Sequence, residues 1–259
     1  MVRATLFQCC GCRRQTSATA GTIFQDTRLP LTLWFRAMWY VTSAKNGVSA
    51  VSVQQILGLG SYQTAWAWLH KLRRAMVRPG RDRLHGRVEV DETYVGGREA
   101  GVIGRQTYEK ALVLVAAQED GRAIGRIRLG RVSKLTKAAV QEFLSQAVEP
   151  GSVLRTDGLN VYEGLEGYTH EPIVVRRQAE DASTLLPRVH RVASLLKRWL
   201  LGTHQGAVRP GHLAYYLDEF TFRFNRRKSV SRGKLFYRLV QQAVQVEASP
   251  YRSLVHPKG

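Results

Sequence analysis

The spacing of apolar residues changes once along the chain, and this change restricts the folds that the chain can adopt. The linker VRPGRDRLHG at 77–86 marks the change. Before it, apolar residues from 29 onwards recur at helical spacing, and after it they alternate or form short apolar runs, as strands do. The first three strands are predicted at 87–95, 110–118 and 121–132. Three strands followed by a helix, the short strand SVLRTDG and further helices are typical of a mixed α/β layer fold.

The helical region before the linker contains two helices around a glycine-rich turn. Pro30 indicates an earlier helix start, and the second helix of the pair is predicted from about Ser61 to Met76. This arrangement is compatible with a helix-turn-helix, in which Lys71, Arg73 and Arg74 would contact DNA. Basic residues at a helix C-terminus are equally well explained as partners of the helix dipole, so both interpretations stay open.

The charge of the chain points to a polyanionic partner. Its 39 Lys and Arg outnumber its 20 Asp and Glu, which gives a net charge of +19 and a pI near 10.5. Nucleic acid is the commonest partner of such a chain, and an anionic membrane surface is a less common one. No apolar run approaches the roughly 18 residues of a membrane span, and the basic start lacks an apolar signal core. We therefore expect a cytoplasmic protein that has no membrane partner.

The positive charge is densest between residues 176 and 238, where fourteen Lys and Arg face only four Asp and Glu. Such a surface is suited to contacts with phosphates. The residues predicted to contact DNA here are Arg191, Arg198, Arg223, Arg226 and Arg227.

The three cysteines lie within the first dozen residues, at Cys9, Cys10 and Cys12. Cys9 and Cys12 form a C-x-x-C pair, which is half of a zinc ribbon, because tetrahedral structural zinc takes four ligands. No second C-x-x-C is present. Residues 1–20 are therefore predicted to be a partial ribbon, with an exposed turn of free thiols as the alternative, and we expect no stably bound zinc.

The stretch GRVEVDETYVGG at 86–97 places three acids in a predicted strand. Side chains alternate along a strand, so Glu89 and Asp91 share one face and Glu92 points to the other. Asp157 lies at the end of another strand. A lone Asp at a strand end often caps a turn, but two carboxylates on adjacent strands can share a divalent cation. Hard oxygen ligands select Mg²⁺ or Mn²⁺, which phosphoryl-transfer enzymes use in pairs.

A third group is expected from the helix that contains LPRVHRVASLLKRWLLGTH. His190 and Lys197 are seven residues apart, close to two helical turns, so they share a face. The imidazole of His190 can bind a metal, and Lys197 can reach a phosphate. The alternative is a basic amphipathic helix that exposes Arg191 and Arg198 to solvent.

These stretches together resemble the successive blocks of ISXO-like bacterial insertion-sequence transposases. The resemblance rests on VEVDETYVGG, TDGLNVY, HRVASLLKRWLLGTHQG and YLDEFTFRFNRR, and on GTIFQDTRLPLTLWF and GLGSYQTAWAWLHKLR nearer the N-terminus. It implies a ribonuclease H-like catalytic domain with an active site of the D-D-(E, N or H)-K type. Asp91 and Asp157 match the catalytic aspartates, Lys197 matches the lysine, and His190 takes the third position, where many relatives carry Glu or another residue. The first C-x-x-C of the family's ribbon is missing.

The predicted organisation has four parts: the partial ribbon at 1–20, a helical DNA-binding region at 21–79, the catalytic α/β domain at 80–228 and a basic C-terminal tail at 229–259. The domain would be a ribonuclease H-like mixed sheet flanked by helices.

The predicted activity is that of an insertion-sequence transposase, which cuts element ends and joins the 3′-OH to target DNA. It would use two Mg²⁺ or Mn²⁺ ions held by Asp91, Asp157 and His190, and would act on terminal inverted repeats and target DNA as a homodimer in the bacterial nucleoid. Two alternatives stay open: a catalytically inactive transposase that acts as a DNA-binding repressor, and a general nuclease of the same fold.

Overall fold

The structure is a computed structural model that describes residues 6–78, 80–96, 110–173, 185–206 and 208–256. The chain divides into two compact units. One, the helical unit, combines Met1–Pro79 with Lys228–Gly259, and the other, the sheet unit, is continuous from Gly80 to Arg227.

The helical unit begins with a small hairpin and continues with the three helices that the apolar spacing predicts. The hairpin consists of β1 (Leu6–Gln8) and β2 (Gln15–Ser17), and the helices are α1 (Leu31–Ser43), α2 (Ala50–Leu57) and α3 (Tyr62–Ala75). The hydroxyl of Ser49 accepts a hydrogen bond from the Ser52 amide and so caps the start of α2. Gly58 ends that helix in the left-handed conformation, with φ of 62°, which a residue with a Cβ rarely adopts.

An aromatic cluster holds α1 and α3 together. The rings of Trp34 and Trp68 stack with their centroids 4.0 Å apart, and Phe24 meets Trp34 edge-on at 5.2 Å. All three side chains are buried. Each such pair contributes about 0.5–1.5 kcal/mol beyond the burial of its area.

The segment 229–259 is not the basic tail that we predicted. It forms α7 (Arg232–Ala243) and α8 (Tyr251–Val255) within the helical unit. Leu235, Leu239 and Ala243, spaced four apart, are buried, and α7 packs on α1 through Phe236. The many cations of this segment concealed an apolar stripe at helical spacing, which is sufficient to dock the helix.

The sheet unit has one five-stranded mixed sheet. Its strands are β3 (Arg87–Val95), β4 (Ala111–Asp120), β5 (Ala123–Val132), β6 (Val153–Thr156) and β7 (Thr169–Pro172), in the spatial order β5-β4-β3-β6-β7. Strands β5, β4 and β3 are antiparallel, whereas β6 and β7 run parallel to β3. The helices are α4 (Lys137–Ala147), α5 (Pro187–His204) and α6 (Leu213–Asn225). The predicted apolar run at 172–175 lies partly outside the described residues.

Helices cover both faces of the sheet, because both faces are apolar. Val88 and Val90 of β3 share one core with residues of α4, whereas Val113 and Val115 of β4 share the other with residues of α5 and α6. Glu89, Asp91 and Thr93 therefore lie on the α5 side of β3. The predicted class, a ribonuclease H-like mixed sheet flanked by helices, is confirmed.

Within the described parts of the chain, no helix combines the length and the apolar character that crossing a membrane would require.

Candidate active site

The two predicted catalytic aspartates lie on neighbouring interior strands of the sheet, Asp91 within β3 and Asp157 just after β6. Strands β3 and β6 run parallel with Glu89 opposite Arg155, so Asp91 and Asp157 each come two residues beyond that pair. The Asp91 carboxylate accepts a hydrogen bond from the Glu92 amide at 2.8 Å, and that of Asp157 accepts one from the Leu159 amide at 3.2 Å. These bonds orient both carboxylates, that of Asp91 in the middle of β3 and that of Asp157 just after the end of β6.

Asp91 and Asp157 line one cavity of about 310 Å³, together with His190 and Lys197 of α5. We call it the carboxylate cavity; Glu92 and Tyr94 also line it. Nε2 of His190 lies 3.8 Å from the nearer carboxylate oxygen of Asp91. The structure thus brings together all four residues that the sequence nominated from three separate elements.

Tyr162 lies close to three carboxylates, those of Glu92, Asp91 and Asp157. Its hydroxyl donates to the carboxylate of Glu92 at 2.8 Å, on the α4 side of β3. Burial raises the pKa of Tyr162, the Glu92 carboxylate raises it further, and the charges of Asp91 and Asp157 add to the effect. The phenol therefore stays protonated and serves as a fixed donor. The sequence analysis did not assign Tyr162 a role, although TDGLNVY contains it.

The carboxylate of Glu89 is bound by hydrogen-bond donors of the protein itself. Its side chain is 0% exposed and accepts three hydrogen bonds, from the Arg188 guanidinium at 2.7 Å and from the amides of Arg188 and Val189 at 2.7 and 3.0 Å. The amides belong to the first turn of α5, whose dipole favours a negative charge. Of the two acids on this face, only Asp91 reaches the cavity, and Arg188 is a site-supporting residue that the sequence analysis missed.

Arg188 fixes the start of α5 against the sheet. Its guanidinium also contacts Glu119 at 3.3 Å and donates to the carbonyl oxygens of Gly121 and Ala123 at 2.6 and 3.2 Å. A charge-assisted anchor in which all three guanidinium nitrogens donate restricts both the position and the rotation of the helix. Because His190 follows two residues later, the anchor also determines where the imidazole lies relative to Asp91.

Lys197 is the cation of the carboxylate cavity. It is an exposed residue, yet partial burial of its ammonium group lowers its pKa, and the nearby Lys110 lowers it further. Two crowded cations favour the arrival of an anion at this place.

The basic residues of the predicted helix-turn-helix are less accessible than expected. Arg73 is 2% exposed, so the prediction that it contacts DNA is wrong; α3 is buried on most of its circumference. Arg74 donates to Ser249. Burial lowers the pKa of Lys71, whose ammonium lies 6.0 Å from the Trp34 ring. The exposed residues of this pair of helices include Tyr62 and Gln63 at the start of α3.

The predicted DNA contacts of the sheet unit divide into two groups. Arg191 and Arg198 of α5 are exposed and stay candidates. Arg223 is engaged within the fold, because it binds the buried Glu219 at 2.8 Å, which corrects its predicted role. Arg226 and Arg227 stack on Phe222 and Phe224, each at 4.1 Å, and Arg227 also donates to carbonyl oxygens of β5.

All three cysteines are exposed near the turn of the β1–β2 hairpin. Hydrogen bonds from the backbone of Cys12 and Gly11 lower the pKa of the Cys9 thiol. Across the residues that the structure describes, no group of three or more His, Cys, Asp or Glu side chains lies close enough together to hold a metal ion. This holds for the cysteines and for the carboxylate cavity alike.

The sheet and its carboxylate cavity define a protein with a ribonuclease H-like domain. Residues 83–225, more than half of the chain, match the ISXO2-like transposase domain. The chain belongs to this family, as the sequence resemblance predicted.

A curated relative points in the same direction. The protein described as "Uncharacterized protein in transposable element ISH50", from Halobacterium salinarum, is 26% identical over 235 residues, a match that covers 84% of this chain and 77% of the relative.

Two solved structures are more distantly similar. "Crystal structure of the Mos1 Strand Transfer Complex" covers 85% of this chain and 81% of its own, with 14% identity and a TM-score of 0.28. "Crystal structure of a pre-cleavage Mos1 transpososome" covers 87% and 82%, with 13% identity and a TM-score of 0.31. Similarity at this level does not bear on the function of the chain.

Proposed function

We propose that the protein is the DNA transposase of an insertion sequence, which cuts the element ends and joins the freed 3′-OH to target DNA. One observation carries the proposal: a member of the ISXO2-like transposase family places Asp91, Asp157, His190 and Lys197 around one cavity. Both reactions are in-line displacements at phosphorus, and catalysis of such reactions depends mainly on positioning and charge.

The donors of the cavity fit Mg²⁺ or Mn²⁺. Asp91 and Asp157 offer hard carboxylate oxygens. Burial is the main cause of the raised pKa of Tyr162, and the nearby carboxylates of Glu92, Asp91 and Asp157 raise it further. The described residues do not include a pre-assembled three-ligand site. That suits Mg²⁺, which usually retains several waters and takes its other oxygens from the substrate phosphate. Two bound ions would activate the attacking oxygen and stabilise the leaving one.

The residues of this chain have separate roles in the proposal. Asp91 and Asp157 hold the metal ions, and His190 offers a further donor beside Asp91. Lys197 binds a non-bridging phosphate oxygen, because its ammonium shares the cavity with the carboxylates. Arg191 and Arg198, exposed on the same helix, contact the neighbouring DNA backbone. Tyr162 keeps Glu92 in place by donating a hydrogen bond.

A strand-transfer assay tests the proposal. Labelled duplexes that end in the element's terminal repeats are incubated with a target plasmid and Mg²⁺ or Mn²⁺. A transposase nicks the duplex at the repeat boundary and joins it to the plasmid, a nuclease nicks without joining, and a repressor binds without nicking. Asp157→Asn should bind the duplex and form no product. Cleavage by this variant at the wild-type rate would refute the assigned site.

We also propose that the protein acts as a homodimer that pairs two element ends. Sedimentation of the protein with and without the terminal-repeat duplex measures this, and a complex containing a single chain and a single duplex would contradict it.

A further inference from the structure

A second cavity adjoins the carboxylate cavity within the sheet unit, and we call it the basic cavity. It measures about 780 Å³, against about 310 Å³ for its neighbour. Tyr94 and Lys197 line both, so the two cavities adjoin at these side chains. Whatever fills the basic cavity therefore lies directly beside the group held by Asp91 and Asp157.

The charges of the basic cavity are of one sign. Its described lining residues include Lys110, Arg131 and Lys197 and no Asp or Glu. The pKa of Lys197 is lowered by burial and by the charge of Lys110, so these two cations repel each other in a space of reduced polarity. An anion between them relieves this repulsion, and a phosphate is the anion that the neighbouring cavity already calls for.

The rest of the wall is apolar and partly aromatic. Leu200, Leu201 and Val132 line the basic cavity together with the ring of Tyr94. Leu201 is exposed, so a ligand in the basic cavity can contact it. An occupant that satisfies both parts of the wall has an anionic end and a flat ring whose faces can pack against apolar and aromatic side chains.

A nucleotide has this composition, and the volume favours one over a duplex. Cavities of about 300–1,000 Å³ hold ligands of drug size, which is the size of a nucleotide. A B-DNA duplex is wider than its own major groove, which is about 12 Å across, and is therefore too large to enter the basic cavity. Binding of a single base against aromatic and apolar side chains requires that the base be unstacked from its neighbours.

We propose that the basic cavity binds one unpaired nucleotide of the DNA strand next to the phosphate in the carboxylate cavity. Lys110 and Arg131 bind its phosphate, and Tyr94 and the leucines contact its base. The inference rests on the proposed function for the position of the DNA, but it concerns binding and not the chemical step.

The test compares two nicked duplexes with the same paired sequence, without divalent cations. One has no unpaired nucleotide, and the other, the flapped duplex, carries a single unpaired 2-aminopurine nucleotide at the nick. The full-length chain should bind the flapped duplex about tenfold more tightly, and the emission of 2-aminopurine should change on binding. Equal affinity for the two duplexes would overturn the inference.

Two pairs of variants locate the effect. Arg131→Ala removes a cation of the basic cavity, and Ser133→Trp fills the cavity from an exposed position, so neither alters the core. Both should reduce the preference to about onefold or twofold. Their controls, Arg122→Ala and Lys134→Trp, change exposed residues that do not line the cavity and should keep the preference. If Ser133→Trp keeps the full preference for the flapped duplex, the nucleotide does not bind in the basic cavity.

The binding test separates this inference from the proposed function. A flap preference in a chain that neither cuts nor joins DNA would leave the nucleotide site standing and refute the transposase activity. Strand transfer without a preference for the flapped duplex would support the transposase activity and refute the nucleotide site. Failure to bind either duplex would refute both.

Discussion

Carboxylates at two places on β3 lie in opposite environments. We call the part of the strand that contains Glu89 the inner half and the part that begins at Asp91 the outer half. In the inner half, Glu89 is fully buried and bound by Arg188 and by two amides of α5. In the outer half, Asp91 faces the same side of the sheet and lines the carboxylate cavity. Two acids that one sequence motif places on the same face therefore lie in different environments: Glu89 is bound within the fold, and Asp91 lines a cavity where we propose that it binds a metal ion. The environment of a carboxylate, and not its place in a motif, decides between these roles.

The largest expected difference between the two halves is in activity. Asp91→Asn should reduce cleavage by about 10³-fold or more, since a metal-binding oxygen is lost. The thermal midpoint of unfolding should stay the same or rise, because the charges of Asp91, Glu92 and Asp157 converge on Tyr162 and one of them is removed. Asp82→Asn, which changes an exposed acid paired with Arg126, is the control. A variant that unfolds early would mean that Asp91 belongs to the structural half.

The inner half should respond in stability. Glu89→Gln leaves the Arg188 guanidinium with a neutral partner in a largely buried place, and breaking such a pair costs about 3–5 kcal/mol. The free energy of unfolding in urea measures this. Glu171→Gln makes the same change at a 45% exposed carboxylate bound to Arg87 and should cost less than about 1 kcal/mol. Equal losses in the two variants would refute the structural role of Glu89.

A third acid, Asp218 of α6, extends the comparison to a carboxyl whose pKa is controlled mainly by burial. Burial raises its pKa to about 7, against the smaller opposing effect of Arg81. The native state then holds a proton that the unfolded chain has lost above its own pKa near 3.8. The stability contributed by this group is complete below that pKa and is lost as the pH rises through about 7.

Asp218→Asn should remove this dependence, because an amide does not titrate. The free energy of unfolding of the variant, measured in urea, should exceed that of the wild type more at about pH 8 than at about pH 5, by an amount on the order of 2 kcal/mol. A difference that does not change with pH would show that Asp218 is ionised in the native state at both values.

The smallest expected effect is on the choice of metal ion and concerns His190 of α5, which lies beside Asp91. Mn²⁺ accepts an imidazole nitrogen more readily than Mg²⁺ does. If His190 binds a metal, wild-type cleavage should favour Mn²⁺, and His190→Glu should shift the Mn²⁺/Mg²⁺ rate ratio by about tenfold towards Mg²⁺. His190→Ala is the matched variant. A ratio that is the same in all three would restrict His190 to contacts with DNA.

The sequence predicted most of the fold, because the elements of the sheet unit carry local signals. Alternation placed β3 at 87–95, where the structure has it, and helical spacing nominated His190 and Lys197 on one face of α5. The aspartates were also visible, since Asp91 lies within the alternating pattern of β3 and Asp157 directly follows β6. These features depend on residues a few positions apart, and a single sequence displays them.

The features that were missed depend on distant residues. The pairing of Glu89 with Arg188 joins positions 99 apart, and nothing near either residue indicates the other. The burial of Arg73 and the ion pair of Arg223 were hidden because a basic residue was taken to be an exposed one. Tyr162 was assigned no role, because its partner Glu92 is 70 positions away. Long-range contacts and burial of charge require the three-dimensional structure.

The division of the helical unit between the two ends of the chain sets an order of assembly during synthesis. Its first part leaves the ribosome before the whole sheet unit, and α7 follows only after residue 227. Until then α1 lacks Phe236, the partner of Trp39 and Phe35. The sheet unit is continuous and has all of its sequence available earlier, so domain-wise folding completes it first. Nascent chains consequently acquire the carboxylate cavity before the helical unit is finished.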